Sequence, residues 1–151
     1  MATLHHQVWV SASPAKVYEA LATAEGLGKW WAPHTSTGTS EGLVLSHSPG
    51  GEHGDVKMRV VDSTPNKRVE WEIVSHHPKK SPASAWTGTH IAFEISEREN
   101  PGPWLGISDE RPSMTVVEFT HSGWSEGNEF FGFCNFAWGE TLVMLKRWCE
   151  S

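Results

Sequence analysis

The chain has 151 residues, the usual size of one folded unit, and no long linker or low-complexity tract divides it, so a single domain over 1–151 is expected. Its 12 basic residues face 18 acidic ones for a net charge of −6, and only isolated basic pairs such as Lys79-Lys80 occur, which argues against nucleic acid as a partner. No segment approaches the roughly 20 apolar residues of a membrane-spanning helix, and MATLHHQVWV lacks a basic-then-apolar secretory pattern, so the expected compartment is the cytoplasm.

Leu4 to Val10 alternates as a strand does, with Leu4, His6, Val8 and Val10 on one face. Ser13 then stands where its oxygen caps orphan amides, Pro14 suits a first helical position, and Val17, Tyr18 and Leu21 recur at helical spacing, predicting a helix over 14–22. A second helical segment is predicted over 24–31, capped by Thr23 and stopped by Pro33. Between Thr35 and Gly54 the residues are rich in Gly, Ser, Thr and His, with only Leu43, Val44 and Leu45 as an apolar group, so a weak strand and a mobile loop are expected.

Val56 to Asp62, the turn Thr64-Pro65-Asn66-Lys67, and Arg68 to Val74 read as a hairpin that turns Val69, Trp71 and Ile73 inward and leaves Glu70 and Glu72 opposite. Trp86 to Ser96 predicts a further strand, as does Met114 to His121, where Val117, Phe119 and His121 share a face before a turn at Gly123. The connection over 97–112 is charged or rich in Pro and Gly. A last helix is predicted over 128–148, capped by Asn128 with Glu129 in its first turn. Phe130, Cys134, Ala137, Thr141, Leu145 and Trp148 form its stripe, and Phe131, Phe133, Phe136 and Trp138 spread apolar surface round its first half.

Three strings carry a resemblance: Ala20-Leu21-Ala22-Thr23-Ala24-Glu25-Gly26-Leu27-Gly28-Lys29-Trp30-Trp31, then His121-Ser122-Gly123-Trp124, then the aromatic final helix. They resemble the heat-shock-protein-90 ATPase activator homologue-like branch of the START-like, or SRPBCC, superfamily, over nearly the whole chain. The resemblance implies an α+β helix-grip fold: a curved antiparallel sheet of six or seven strands wrapped around a long C-terminal helix, with two short helices after the first strand. It also implies a cavity between sheet and helix that accepts hydrophobic molecules, and it implies no reaction, because fold alone does not fix function.

Nine Trp and six Phe against one Tyr make an unusual load of large rings. Trp30, Trp31, Trp71, Trp86, Phe93, Phe119, Phe130, Phe133 and Trp138 come from the corner, the sheet and the helix that wall such a cavity, and they are the candidate ligand-pocket residues. Catalysis needs a titratable group in a desolvated site; His121 is the single candidate on the inner face, with Glu72 or Glu94 eligible only if their faces were reversed. As a bland alternative, His121 makes a structural hydrogen bond at the strand end.

Nine histidines raise the question of a metal, but there is no HExxH or CxxC, and His5-His6 and His76-His77 each point to opposite faces, so neither a metal nor a cofactor is expected. His34, His47 and His53 are expected to be solvated loop residues. Cys134 and Cys149 lie fifteen residues apart on one predicted helix, about 22 Å of rise and beyond disulfide reach, Cys134 as a core thiol and Cys149 as a terminal bystander. The leading expectation is binding of a small hydrophobic molecule. Its rivals are a cyclase-, dehydratase- or hydrolase-like enzyme using a cavity acid or base, and an interaction module, as a homodimer or co-chaperone adaptor, built on the apolar start of the last helix.

Overall fold

The computed structural model describes residues 1–104, 107 and 111–151. Its elements are β1 (Ala2–Val10), α1 (Pro14–Ala22), α2 (Ala24–Gly28), β2 (Thr35–Thr39), β3 (Gly42–His47), β4 (Val56–Thr64), β5 (Arg68–Ile73), β6 (His90–Glu99), β7 (Ser113–Trp124) and α3 (Phe131–Cys149), with a 3-10 turn at Pro82–Ala85. The seven strands form one antiparallel sheet in the order β1-β7-β6-β5-β4-β3-β2. α3 packs across its concave side, which makes this an α+β helix-grip fold.

Local chemistry sets the helical corner. Ser13 Oγ accepts from the amide of Lys16 at 3.2 Å, Thr23 Oγ1 accepts from the amide of Gly26 at 2.9 Å, and Pro14 takes the first helical position. At Gly26 a Cβ would lie 2.0 Å from the carbonyl oxygen of Glu19, so α1 and α2 touch backbone to backbone and only glycine fits. Trp30 closes the corner by donating its Nε1 hydrogen to the carbonyl of Ala20 at 2.8 Å.

Alternation decides which sheet face is buried. Val69, Trp71 and Ile73 on β5 and Val117, Phe119 and His121 on β7 all point into the core. On the opposite face Glu72 pairs with Arg59 at 2.6 Å and Glu94 with Arg68 at 3.4 Å, so neither carboxylate reaches the interior.

The structure differs from the sequence reading in several places. The segment expected to hold a weak strand and a loop carries the hairpin β2/β3. β2 is exposed throughout, but β3 is held by its ladder to β4, where Leu45 faces Met58 and His47 faces Val56. The weak strand expected around Leu43 to Leu45 is β3, and β2, with no buried residue, has no apolar period to read. α2 stops at Gly28, and β6 begins at His90 rather than Trp86, because Gly88 adopts φ +80° and its amide donates to the carbonyl of Ile73. β7 does not turn at Gly123 but runs on to Trp124, and Gly123 takes φ +91° within it.

α3 starts at Phe131, because Asn128 uses its Oδ1 to accept from the amide of Phe130 at 2.8 Å and Glu129 stays outside the helix. Its buried line is Cys134, Trp138, Leu142, Leu145 and Cys149, so Cys149 is a core residue and not a bystander, while Phe133 and Phe136 are 61% and 69% exposed. Both cysteines are free thiols. Of the connection expected over 97–112, residues 97–99 continue β6, and residues 105, 106 and 108–110 lie outside the described residues. Among the described residues no helix is long and apolar enough to cross a membrane.

Candidate functional site

α3 does not seal the sheet along its whole length. Trp31 from the end of the helical corner, His47 from the end of β3, Trp86 after the 3-10 turn, and Cys134, Ala137 and Trp138 from α3 line a cleft of about 180 Å³. Past His47, Trp86 and Cys134 it continues into a second hollow of about 250 Å³, reaching Val56, Pro82, His53 and Phe133. Among the described residues no Asp, Glu, Lys or Arg lines either part.

Three indoles set the shape. Trp86 and Trp138 stack with centroids 5.8 Å apart and planes 16° apart, and Trp31 tilts against Trp138 at 5.3 Å. Behind them Trp71, Phe93 and Phe119 run edge to face at 5.2 and 5.3 Å, and Phe119 meets Trp138 at 4.6 Å. These three rings are fully buried and form the floor beneath the cleft. Of the nine aromatic candidates, then, Trp31, Trp86, Trp138 and Phe133 border the opening, Trp71, Phe93 and Phe119 pack below it, and Phe130 is half-buried before α3. Trp30 stacks on Trp31 at 5.8 Å while serving the corner.

His121 is held on both sides. Trp138 Nε1 donates to Nδ1 at 3.1 Å, so the hydrogen is on Nε2, which donates to Thr89 Oγ1 at 2.8 Å; Thr89 in turn donates to the carbonyl of Trp86 at 2.5 Å. The ring is fully buried, and burial pushes its pKa down to about 3. With both nitrogens engaged, His121 braces Trp138 against Trp86 and has none left for a substrate.

The histidines expected to be solvated are each at least partly buried. The rings of His34 and His47 lie 4.5 Å apart against Trp31, and His47 is only 8% exposed. Burial, with His34 and His77 nearby, pushes the His47 pKa down to about 4. Burial also lowers that of His34, against the opposing hydrogen bond to the Ala32 carbonyl. His53 joins Ser81 at 2.8 Å.

Sequence reasoning missed His47, Pro49, Cys134, Ala137 and Thr141 as lining residues. Cys134, Ala137 and Thr141 carry a helical signal, their place on the predicted stripe of the last helix, and His47 and Pro49 carry none. Burial raises the Cys134 thiol pKa, outweighing the indole hydrogen of Trp86 donated to Sγ at 3.4 Å, so it stays protonated and weakly nucleophilic. Among the described residues no three His, Cys, Asp or Glu side chains converge to hold a metal ion. Among the described residues the site therefore offers an apolar surface with imidazoles at its edge and no Asp, Glu, Lys or Arg.

Residues 11–102 match the family described as Activator of Hsp90 ATPase homolog 1-like protein. The chain belongs to this family. Among solved structures, this Hsp90-activator-like chain is similar to the Aha1 dimer from Colwellia psychrerythraea, with 32% identity, 99% of this chain and 97% of that one covered, and a TM-score of 0.75. Proteins from Bacillus halodurans (19% identity, 99% and 98% covered, TM-score 0.68) and Nitrosospira multiformis (11% identity, 99% and 97% covered, TM-score 0.70) share the fold. No curated protein matches the sequence.

Proposed function

We propose that this Hsp90-activator-like domain binds a small hydrophobic molecule in the cleft between its sheet and α3. The observation that carries the reading is the opening walled by Trp31, Trp86 and Trp138, with no Asp, Glu, Lys or Arg among its described lining residues, and braced from below by His121. A two-ring aromatic ligand that loses about 200 Å² of apolar surface there gains about 5 kcal/mol, a sub-millimolar dissociation constant. Titration of tryptophan fluorescence with naphthalene is expected to saturate in that range in the wild type and to weaken at least tenfold in Ala137→Trp, which fills the cleft. An unsaturable signal, or equal affinity in the filled variant, would count against the cleft.

A second reading concerns assembly. Phe136, Val143 and Met144 are exposed on the outward side of α3, along a groove that also holds Gly139, Glu140 and Arg147. A similar protein, 32% identical, is described as a dimer. The stripe suits a second copy packed face to face across a two-fold axis, since an isologous contact needs one self-complementary patch. Sedimentation equilibrium is expected to give a dimer that Phe136→Glu dissociates; a wild-type monomer at 100 μM-scale concentration, on the order of a weak interface, would dismiss it.

A further inference from the structure

Buried polar side-chain atoms are almost always paired, and those that are not call for a reason. Five stand without a hydrogen-bond partner among the described residues: His6 Nε2, His34 Nε2, His47 Nδ1, Trp71 Nε1 and Trp124 Nε1. Three of the five belong to rings packed on Trp31, whose centroid lies 5.0 Å from His34, 4.6 Å from His47 and 6.2 Å from Trp71. Trp31 and His47 form the wall at this end of the cleft, and His34 and Trp71 lie against Trp31.

The three atoms differ in what they ask for. An indole nitrogen only donates, so Trp71 Nε1 needs an acceptor. His34 Nδ1 lies 2.6 Å from the carbonyl of Ala32 and must carry the ring hydrogen, so in the neutral ring Nε2 is a lone pair needing a donor. Neutral His47 presents one donor and one acceptor. Of the three, His47 lines the cleft, and a hydroxyl, which both donates and accepts, matches either form of its ring nitrogen. A carboxylate brings acceptors only and finds no Lys or Arg among the described residues of the cleft lining. An ammonium finds no Asp or Glu among them.

We infer that the Trp31 end of the cleft is a hydroxyl-recognition site, and that the ligand class is an uncharged aromatic alcohol or phenol whose ring lies among Trp31, Trp86 and Trp138. Its hydroxyl bonds His47, the ring among the three that lines the cleft. This rests on the cleft-binding reading and adds a chemical selection to it. Hydrophobic contact alone would not separate a phenol from its parent ring, whereas a site with buried polar groups does, because the parent ring leaves them unpaired.

Calorimetric titration of the full chain at neutral pH with naphthalene, 2-naphthol and 2-naphthoate tests it. The expected result is 2-naphthol binding about tenfold tighter than either of the others, one net hydrogen bond. In His47→Phe the naphthalene affinity is expected to persist and the 2-naphthol preference to fall toward one, with His47→Gln recovering part of it. Equal affinities for naphthalene and 2-naphthol in the wild type, tighter 2-naphthoate, or an unchanged preference in His47→Phe would each overturn the hydroxyl site while leaving the cleft standing. Binding of none of the three would remove the cleft reading and the hydroxyl site together. The wild-type ratio decides the matter even where a variant fails to fold.

Discussion

Lowering the pH should unfold this protein through its interior histidines. Burial holds His121 neutral with a pKa near 3 and His47 with one near 4, whereas in the unfolded chain both titrate near 6.5. A group with a depressed folded pKa contributes its full stability above the unfolded value and loses it as pH falls toward the folded one, because only the unfolded state takes the proton. Each pH unit below about 6.5 costs about 1.4 kcal/mol per histidine, so the pair removes about 4 kcal/mol between pH 7.5 and 5. His34, whose pKa is also lowered, acts in the same direction. That is a large share of the roughly 5–15 kcal/mol of a typical domain. Urea unfolding at pH 7.5, 6.5, 5.5 and 5 measures it directly, and His121→Phe should roughly halve the slope. A stability change under about 1 kcal/mol over that range would refute the assignment of two neutral, buried imidazoles.

Three further outcomes are expected. Gly26→Ala should destabilise by about 3 kcal/mol or more despite the better helix propensity of alanine, because its Cβ would meet the Glu19 carbonyl at 2.0 Å; an unchanged denaturation midpoint would show that the corner yields freely. Trp138→Phe should cost about 2–4 kcal/mol, since it leaves His121 Nδ1 buried without its donor and opens space below Trp86; the same denaturation assay measures it. Cys134 and Cys149 should both resist iodoacetamide in the folded protein at pH 8 and react in urea, because burial raises both thiol pKa values, that of Cys149 to about 11. Rapid labelling of either thiol without denaturant would contradict its burial.

The fold was legible wherever an element carries its own period or cap. Ser13, Pro14 and Thr23 mark the helical corner, and Val69, Trp71 and Ile73 mark the inner face of β5. β3 was legible only as a weak strand around Leu43 to Leu45, and β2 was not legible, because it pairs with β3 at the far edge of the sheet and Thr35 to Thr39 buries no side chain. The start of α3 was misread because Asn128 has the chemistry of a cap but spends it on a turn two residues early. Aromatic excess pointed to the cleft in outline, yet it could not divide wall from floor: Trp71 and Trp86 look alike in sequence, and only packing puts one beneath the cleft and the other beside it. His47 was hidden because its burial depends on the pairing of β3 with β4. A histidine in a Ser/Gly-rich stretch shows no sign of burial until the strand that carries it is paired.

The nine tryptophans allow the central claim to be tested by a single spectrum, since each indole N–H gives its own nitrogen-correlated NMR signal. On titration with naphthalene, the signals of Trp31, Trp86 and Trp138 should shift together and saturate. Those of Trp9 and Trp104, which flank a separate groove beside β1 and α3, should stay in place. Shifts confined to Trp9 and Trp104, or no saturable shift at Trp31, Trp86 and Trp138, would contradict a ligand site between the sheet and α3.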